Sequence, residues 1–179
     1  VGETMAIGRT FKEALQKAVR SLEIGRAGLG ADGRDRIDAA RLKERLAVPN
    51  WERLFYIRAG LQAGWSVSAI AQLTGIDPWF LHNIEQLVEL EGRLRAFPLA
   101  SVPRDLLVKA KKNGFSDRQL AHLLRADEAQ VRAARVKAGI VPVFKRVDTC
   151  AAEFEAHTPY MYSTYEEEDE TAPTDRRKV

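Results

Sequence analysis

The sequence predicts a mainly α, multihelical fold: two small related helical subdomains, a short strand and helix ahead of them, and an extended C-terminal tail. Three observations carry that prediction. Between Trp51 and Arg95 apolar residues recur at helical spacing in three runs, separated by a glycine stop and an Asp-Pro start. The same order of stops, caps and apolar positions returns 50 residues later. After Gly139 the helical period ends.

Thr4 to Ile7 is short and apolar and is followed by Gly8-Arg9, which reads as a strand end and turn. Thr10 and Glu13 form a T-x-x-E capping box, in which each side chain can satisfy an orphan amide near the other. Phe11, Ala14, Leu15, Ala18, Val19 and Leu22 then predict an amphipathic helix from Phe11 to Glu23. A strand feeding a helix resembles the end of an α/β domain, so residues 1–23 are assigned to a preceding unit. Residues 24–38 hold four glycines among charged residues without periodicity and read as a linker; a modest helix follows from Ala39 to Ala47 before Pro49, so 24–49 is a linker with a short helix.

Asn50 caps the next helix, whose apolar positions are Trp51, Leu54, Phe55, Tyr56 and Ala59 and whose stop is Gly64. Ser66 caps a short helix with Val67, Ile70, Ala71 and Leu73, and Gly75 supplies a left-handed stop. Asp77-Pro78 starts a third helix, because proline's missing N–H is not needed in a first turn. Its stripe of Phe80, Leu81, Ile84, Leu87, Val88 and Leu94 must be covered by other helices. Pro103 opens a second group. A shift of 50 positions places Gly114 on Gly64, Phe115 on Trp65, Ser116 on Ser66, Leu120 on Ile70, Leu123 on Leu73 and Asp127 on Asp77. The helical region is therefore 50–140, with subdomains at about 50–97 and 98–140. Residues 141–179 combine β-type residues, three close tyrosines (Tyr160, Tyr162 and Tyr165) and five consecutive acids from Glu166 to Glu170, and are expected to run extended across a surface.

With 179 residues, 45% hydrophobic and 30% charged, the chain lies in the globular range. The single cysteine, Cys150, excludes an internal disulfide framework and suits a reducing compartment. No apolar run approaches the roughly 18 residues of a membrane span, so a soluble cytoplasmic protein is expected. Because the chain starts with Val1 and enters at once into an apolar segment, it is expected to be a piece of something longer.

Candidate sites each have a plain alternative. Short helix, turn and second helix is also the outline of a nucleic-acid-binding helix-turn-helix. Arg132, Arg135 and Lys137, with Lys109, Lys111 and Lys112 before them, could face phosphates, but Glu85, Glu89 and Glu91 on the first candidate helix would repel them. With 28 basic against 25 acidic residues, a solvated basic face is the simpler reading. His82, His122 and His157 lack ligand spacing, so no metal site is expected. Cys150 reads as a buried structural thiol, the glycines of the linker follow no strand and so form no phosphate loop, and the acidic run could hold Mg²⁺ but reads as a solvated tail. By residues alone, no catalytic site is complete.

Three stretches resemble one family. GETMAIGRTFKEALQKAVRSLE resembles the last strand and helix of the first ATP-grasp unit in the large subunit of carbamoyl-phosphate synthase. RLFYIRAGLQAGWSVSAIAQLTGIDPWFLHNIEQLVELE resembles its helical oligomerisation, or connection, domain. VPVFKRVDTCAAEFEAHTPYMYSTYEEEDE, with its KRVDTCAAEF and PYMYSTYE runs, is the most specific. The resemblance implies a module joining two ATP-using halves, one phosphorylating bicarbonate and forming carbamate with ammonia, the other phosphorylating carbamate, for arginine and pyrimidine synthesis. It implies that ATP and Mg or Mn are used outside these residues, so that the chain alone is inactive. The implied partners are the two ATP-grasp units, a glutamine-hydrolysing small subunit and other copies of the parent, with neither nucleic acid nor membrane. It implies that Val1, Gly2 and Glu3 lie near the passage that carries carbamate, a solvated strand-end carboxylate being the plain alternative for Glu3. A self-association surface is sought around Trp65, Trp79 and Phe115, since aromatics near helix starts are core or contact residues, core being the commoner outcome.

Overall fold

A capped helix opens the chain, as its sequence dictates. In a computed structural model that describes residues 3–151 and 153–175, α1 spans Phe11–Ser21, and Thr10 Oγ1 accepts from Glu13 N at 3.2 Å. The reciprocal half of the expected capping box is diverted: Glu13 Oε2 accepts from Arg9 N at 2.7 Å. The helix stops short of Glu23, which stands at φ 57°. Thr4 to Ile7 is not a strand. A strand exists only in a ladder, and no segment among the described residues pairs with it.

Residues 24–38 carry no helix or strand, in keeping with their lack of period, yet Ala27 to Asp32 is buried. A three-residue 3₁₀ turn, Ala39–Arg41, leads into α2, Leu42–Ala47. Asn50 Oδ1 accepts from Glu52 N at 2.9 Å, and α3 then spans Arg53–Gln62. Trp51, expected on the apolar face of this helix, precedes its first turn and is 71% exposed. The remaining helices are α4 Val67–Thr74, α5 Pro78–Arg95, α6 Arg104–Lys112, α7 Asp117–Leu124 and α8 Glu128–Lys137.

Backbone geometry repeats at the 50-residue offset. Gly64 and Gly114 stand at φ 86° and 84°, and the next residue donates back in both: Trp65 N to Gly60 O at 3.0 Å, Phe115 N to Ala110 O at 3.1 Å. Ser66 caps Ala69 N and Ser116 caps Gln119 N. Gly75 and Arg125 close α4 and α7 in the same left-handed conformation, at φ 70° and 54°. The arginine conceals a stop that the glycine declares.

These helices share one apolar core. Helix α5 packs on α1, α3, α4 and α7, and α7 on α8. Ile70, Leu81, Ile84 and Leu87 from the first group join Leu120, Leu123, Leu124 and Val131 from the second. Each such side chain contributes roughly 1.5–3 kcal/mol by leaving water, so interlocking the groups is favoured over two separate small cores. No helix among the described residues is long and apolar enough to cross a membrane.

The tail departs from a simple extended run. Val143–Arg146 (β1) and Met161–Thr164 (β2) pair antiparallel, with Val143 opposite Thr164 and Arg146 opposite Met161. The two strands thus satisfy part of each other's backbone, and β2 returns the tail to α1 through Ser163 and Thr164.

Candidate functional site

Most buried charge in this molecule holds segments together. Arg58 of α3 donates from Nε and Nη2 to the Glu91 carboxylate of α5 at 2.8 and 2.6 Å, and from Nη1 to Asp35 at 3.0 Å. Both members of the Arg58–Glu91 pair are 3% exposed, and the fork satisfies both carboxylate oxygens. Burial works against the guanidinium charge, but Glu91 and Asp35 outweigh it and raise the Arg58 pKa. Gly30 is required beside it, because a Cβ there would meet the guanidinium. Asp32 accepts from Arg26 Nε and Ala27 N, both at 2.9 Å, and Leu29 N donates to Gln16 Oε1 at 2.8 Å. Gln119 Nε2 reaches from α7 to Gly30 O at 2.7 Å. Through these bonds the glycine segment ties α1, α3, α5 and α7 to one another.

A second cluster anchors the tail. Lys111 Nζ donates to Asp117 Oδ1 at 2.7 Å and to Phe115 O at 2.7 Å, while Arg135 Nε lies 2.8 Å from Asp117 Oδ2. The Tyr165 ring centroid is 4.9 Å from Lys111 Nζ, a cation–π contact that seats the residue following β2. Beyond it Glu166 pairs with Lys112, and Glu168 and Glu170 both pair with Lys145. Three of the five acids are therefore held by cations, while Glu167 to Glu170 stay exposed to solvent. Among the described residues no group of three or more His, Cys, Asp or Glu is arranged to hold a metal ion.

Burial would raise the Asp117 pKa, but the hydrogen bonds and charges of Lys111 and Arg135 hold it below the ordinary carboxylate value. A depressed carboxylate contributes stability that is present above its unfolded pKa, about 3.9, and is lost as pH falls through the folded value. Asp117→Asn is accordingly expected to be less stable than the parent at neutral pH, with the difference shrinking below about pH 4. Urea titrations across that range check it; a difference independent of pH would remove the ion cluster as its cause.

Helix α1 carries a third cluster. Glu13, 2% exposed, receives Arg9 N, the Lys17 ammonium at 2.8 Å and Thr164 Oγ1 at 3.1 Å. Lys17 Nζ also donates to Ile7 O at 2.9 Å and Ser163 O at 2.6 Å. Beside this junction lies a cavity of about 800 Å³ lined by Ile7, Arg9, Lys145, Tyr162, Glu168 and Glu170, whose Lys145 is already paired internally.

The residues sought as a contact surface separate. Phe115 is 1% exposed and belongs to the core, so its ring offers no surface to a partner. Trp65 is half-buried against the core. Trp79 is 56% exposed and forms an aromatic cluster with Phe11 and Phe80, with ring centroids 5.0–5.4 Å apart. Val1 and Gly2 lie outside the described residues, and Glu3 is exposed. Cys150, expected buried, is half-buried, with Thr149 Oγ1 at 3.8 Å.

Of the cations considered for a phosphate-facing surface, Lys111 and Arg135 are buried in the Asp117 cluster and Lys112 pairs with Glu166. Buried partners missed by sequence reasoning include Arg58 and Glu91 as a pair and Gln119 as a clamp. Glu91 had a legible signal, lying four after Leu87 and three before Leu94, on the apolar stripe itself. A charge at such a position needs a buried partner.

Residues 3–139 match the family profile described as carbamoyl-phosphate synthetase large chain, oligomerisation domain. The carbamoyl phosphate synthase large chain of Archaeoglobus fulgidus is 54% identical over 184 residues, covering 100% of this chain and 17% of the relative. That of Nostoc sp. is 51% identical over 180 residues, covering 100% and 16%. The chloroplastic arginine-specific large chain of Arabidopsis thaliana is 46% identical over 181 residues, covering 100% and 15%. The chain thus spans about a sixth of the length of these relatives.

Proposed function

This chain belongs to the family of carbamoyl-phosphate synthetase large-chain oligomerisation domains, and from that premise we propose that it joins two ATP-using units of a longer ligase and supports self-association of the parent chain. The parent, on this reading, phosphorylates bicarbonate, makes carbamate with ammonia released from glutamine on a small subunit, and phosphorylates carbamate to carbamoyl phosphate for arginine and pyrimidine synthesis. ATP and Mg or Mn are handled by the neighbouring units. We place the parent in the cytoplasm, where a lone half-buried thiol stays reduced.

One observation carries the connector reading. The buried polar side chains fasten the incoming segment, the glycine segment and the outgoing tail onto a helical body, through Arg58–Glu91, Gln119, Glu13 and Asp117. That is an arrangement for holding positions. Trp79 and its aromatic neighbours are the exposed surface we assign to self-association, and Glu3, at the incoming end, is the residue we place by the carbamate passage.

Two measurements test the proposal. The isolated chain is expected to show no bicarbonate-dependent ATP hydrolysis and to self-associate with rising concentration in sedimentation. Turnover by the chain alone overturns the connector role, and a species that stays monomeric to its solubility limit overturns self-association within these residues.

A further inference from the structure

We infer that Glu13 and Lys17 of α1 are a positioning pair that locks the incoming segment to the outgoing strand, so that the units attached at the two ends move as one. The inference rests on the connector reading above and adds to it the residues that set the geometry between the units. Four residues apart on one helical face, the two side chains meet each other at 2.8 Å, and each bonds both to the segment before α1 and to β2. Glu13 takes the Arg9 amide at 2.7 Å from the incoming side and the Thr164 hydroxyl at 3.1 Å from the outgoing side. Lys17 gives one hydrogen bond to Ile7 O at 2.9 Å and another to Ser163 O at 2.6 Å. The Tyr162 ring lies 5.7 Å from the same ammonium.

Other residues attach α1 to the helical body. Val19 is in the core, Gln16 meets Leu29 and Gln119, and Arg20 Nη1 donates to Gly114 O at 2.7 Å. The Glu13–Lys17 pair is directed instead at two extended segments. The incoming one has no ladder of its own and leaves Met5 exposed. A carboxylate this deeply buried is desolvated, and the donors converging on it make the arrangement stiff and specific in direction. Displacing Ile7 to Arg9 therefore strains the same two side chains that hold Ser163 and Thr164.

The test uses the full-length parent with its glutamine-hydrolysing subunit and compares wild type with Lys17→Met, which keeps the apolar stem and removes the ammonium. Glu13→Gln is the second variant, nearly identical in shape, and decides the matter if Lys17→Met loses its cooperative melt. Hydrogen exchange of peptides covering residues 6–9 and 161–164 is expected to quicken at both ends together. Bicarbonate-dependent ATP hydrolysis is expected to persist, while carbamoyl phosphate formed per ATP falls by about tenfold, since small misplacements remote from chemistry have large effects on rate. Faster exchange at both ends with unchanged product per ATP makes the pair merely structural and overturns the inference. Faster exchange at one end alone overturns the link itself. If the wild-type parent hydrolyses no ATP with bicarbonate, the connector reading falls first and this inference with it; if it does and the variants stay coupled, only this inference falls.

Discussion

Gly114→Ala is expected to destabilise the chain by about 2–5 kcal/mol, whereas Gly64→Ala, at the matching position of the first helical group, costs only about 1–2 kcal/mol. Both glycines adopt φ near +85°, 84° at Gly114 and 86° at Gly64, where an L residue with a Cβ is strained. Their surroundings separate them. A Cβ at Gly64 meets nothing within 4 Å, but one at Gly114 would lie 2.9 Å from both Glu13 Cα and Gln16 Cβ. Backbone cannot step aside as the end of a flexible side chain can, so α1 itself must shift. That shift also disturbs Glu13 and the Arg20 bond to Gly114 O. Denaturant midpoints with an unchanged slope measure the two losses. Equal losses would show that α1 does not rest on Gly114.

Removing the charge from Arg58 is the other large effect. Arg58→Met leaves the Glu91 carboxylate buried with, among the described residues, Gln62 Nε2 at 3.2 Å as a donor, and a loss of about 3–5 kcal/mol is expected. Replacing both members, Arg58→Met with Glu91→Leu, is expected to recover most of that loss, because no uncompensated charge remains. The double-mutant cycle therefore yields a strong coupling between the two sites. Additive losses would mean that the pair contributes through packing alone. Such additivity would also weaken the case that this charge cluster fixes the glycine segment, since Asp35 reaches the body through Arg58.

Local signals placed the helices closely. Asp77-Pro78 opens α5, Ser66 and Ser116 cap α4 and α7, and Gly75 closes α4 where expected. Each rests on a few neighbouring residues whose conformational limits hold in any context. Where the same local reasoning failed, contacts outside the expected local pattern took part, some of them from far along the chain. Glu13 turned from its capping role to Arg9 and Thr164, the latter 151 positions away. The tail folded into a ladder because Val143 to Arg146 found Met161 to Thr164.

The candidate site was less legible than the fold. Trp65, Trp79 and Phe115 look alike as aromatics at helix starts, yet one is exposed, one half-buried and one in the core. Lys111 and Arg135 read as a basic face, but the packing of α6, α7 and α8 turns both onto Asp117. Family membership was legible in the sequence, since the runs that carry it survive as strings of residues.

By itself, the sequence determined helix identity, most helix boundaries, the repeat and the family, because caps, stops and apolar period act within one or two turns. Only the tertiary structure decided which charges are internal, where the glycine segment lies and how the segment before α1 is fastened to β2. Those outcomes depend on partners from about 6 positions apart, as in Lys111 and Asp117, to 151 apart, as in Glu13 and Thr164, whose meeting is set by the packing of whole helices.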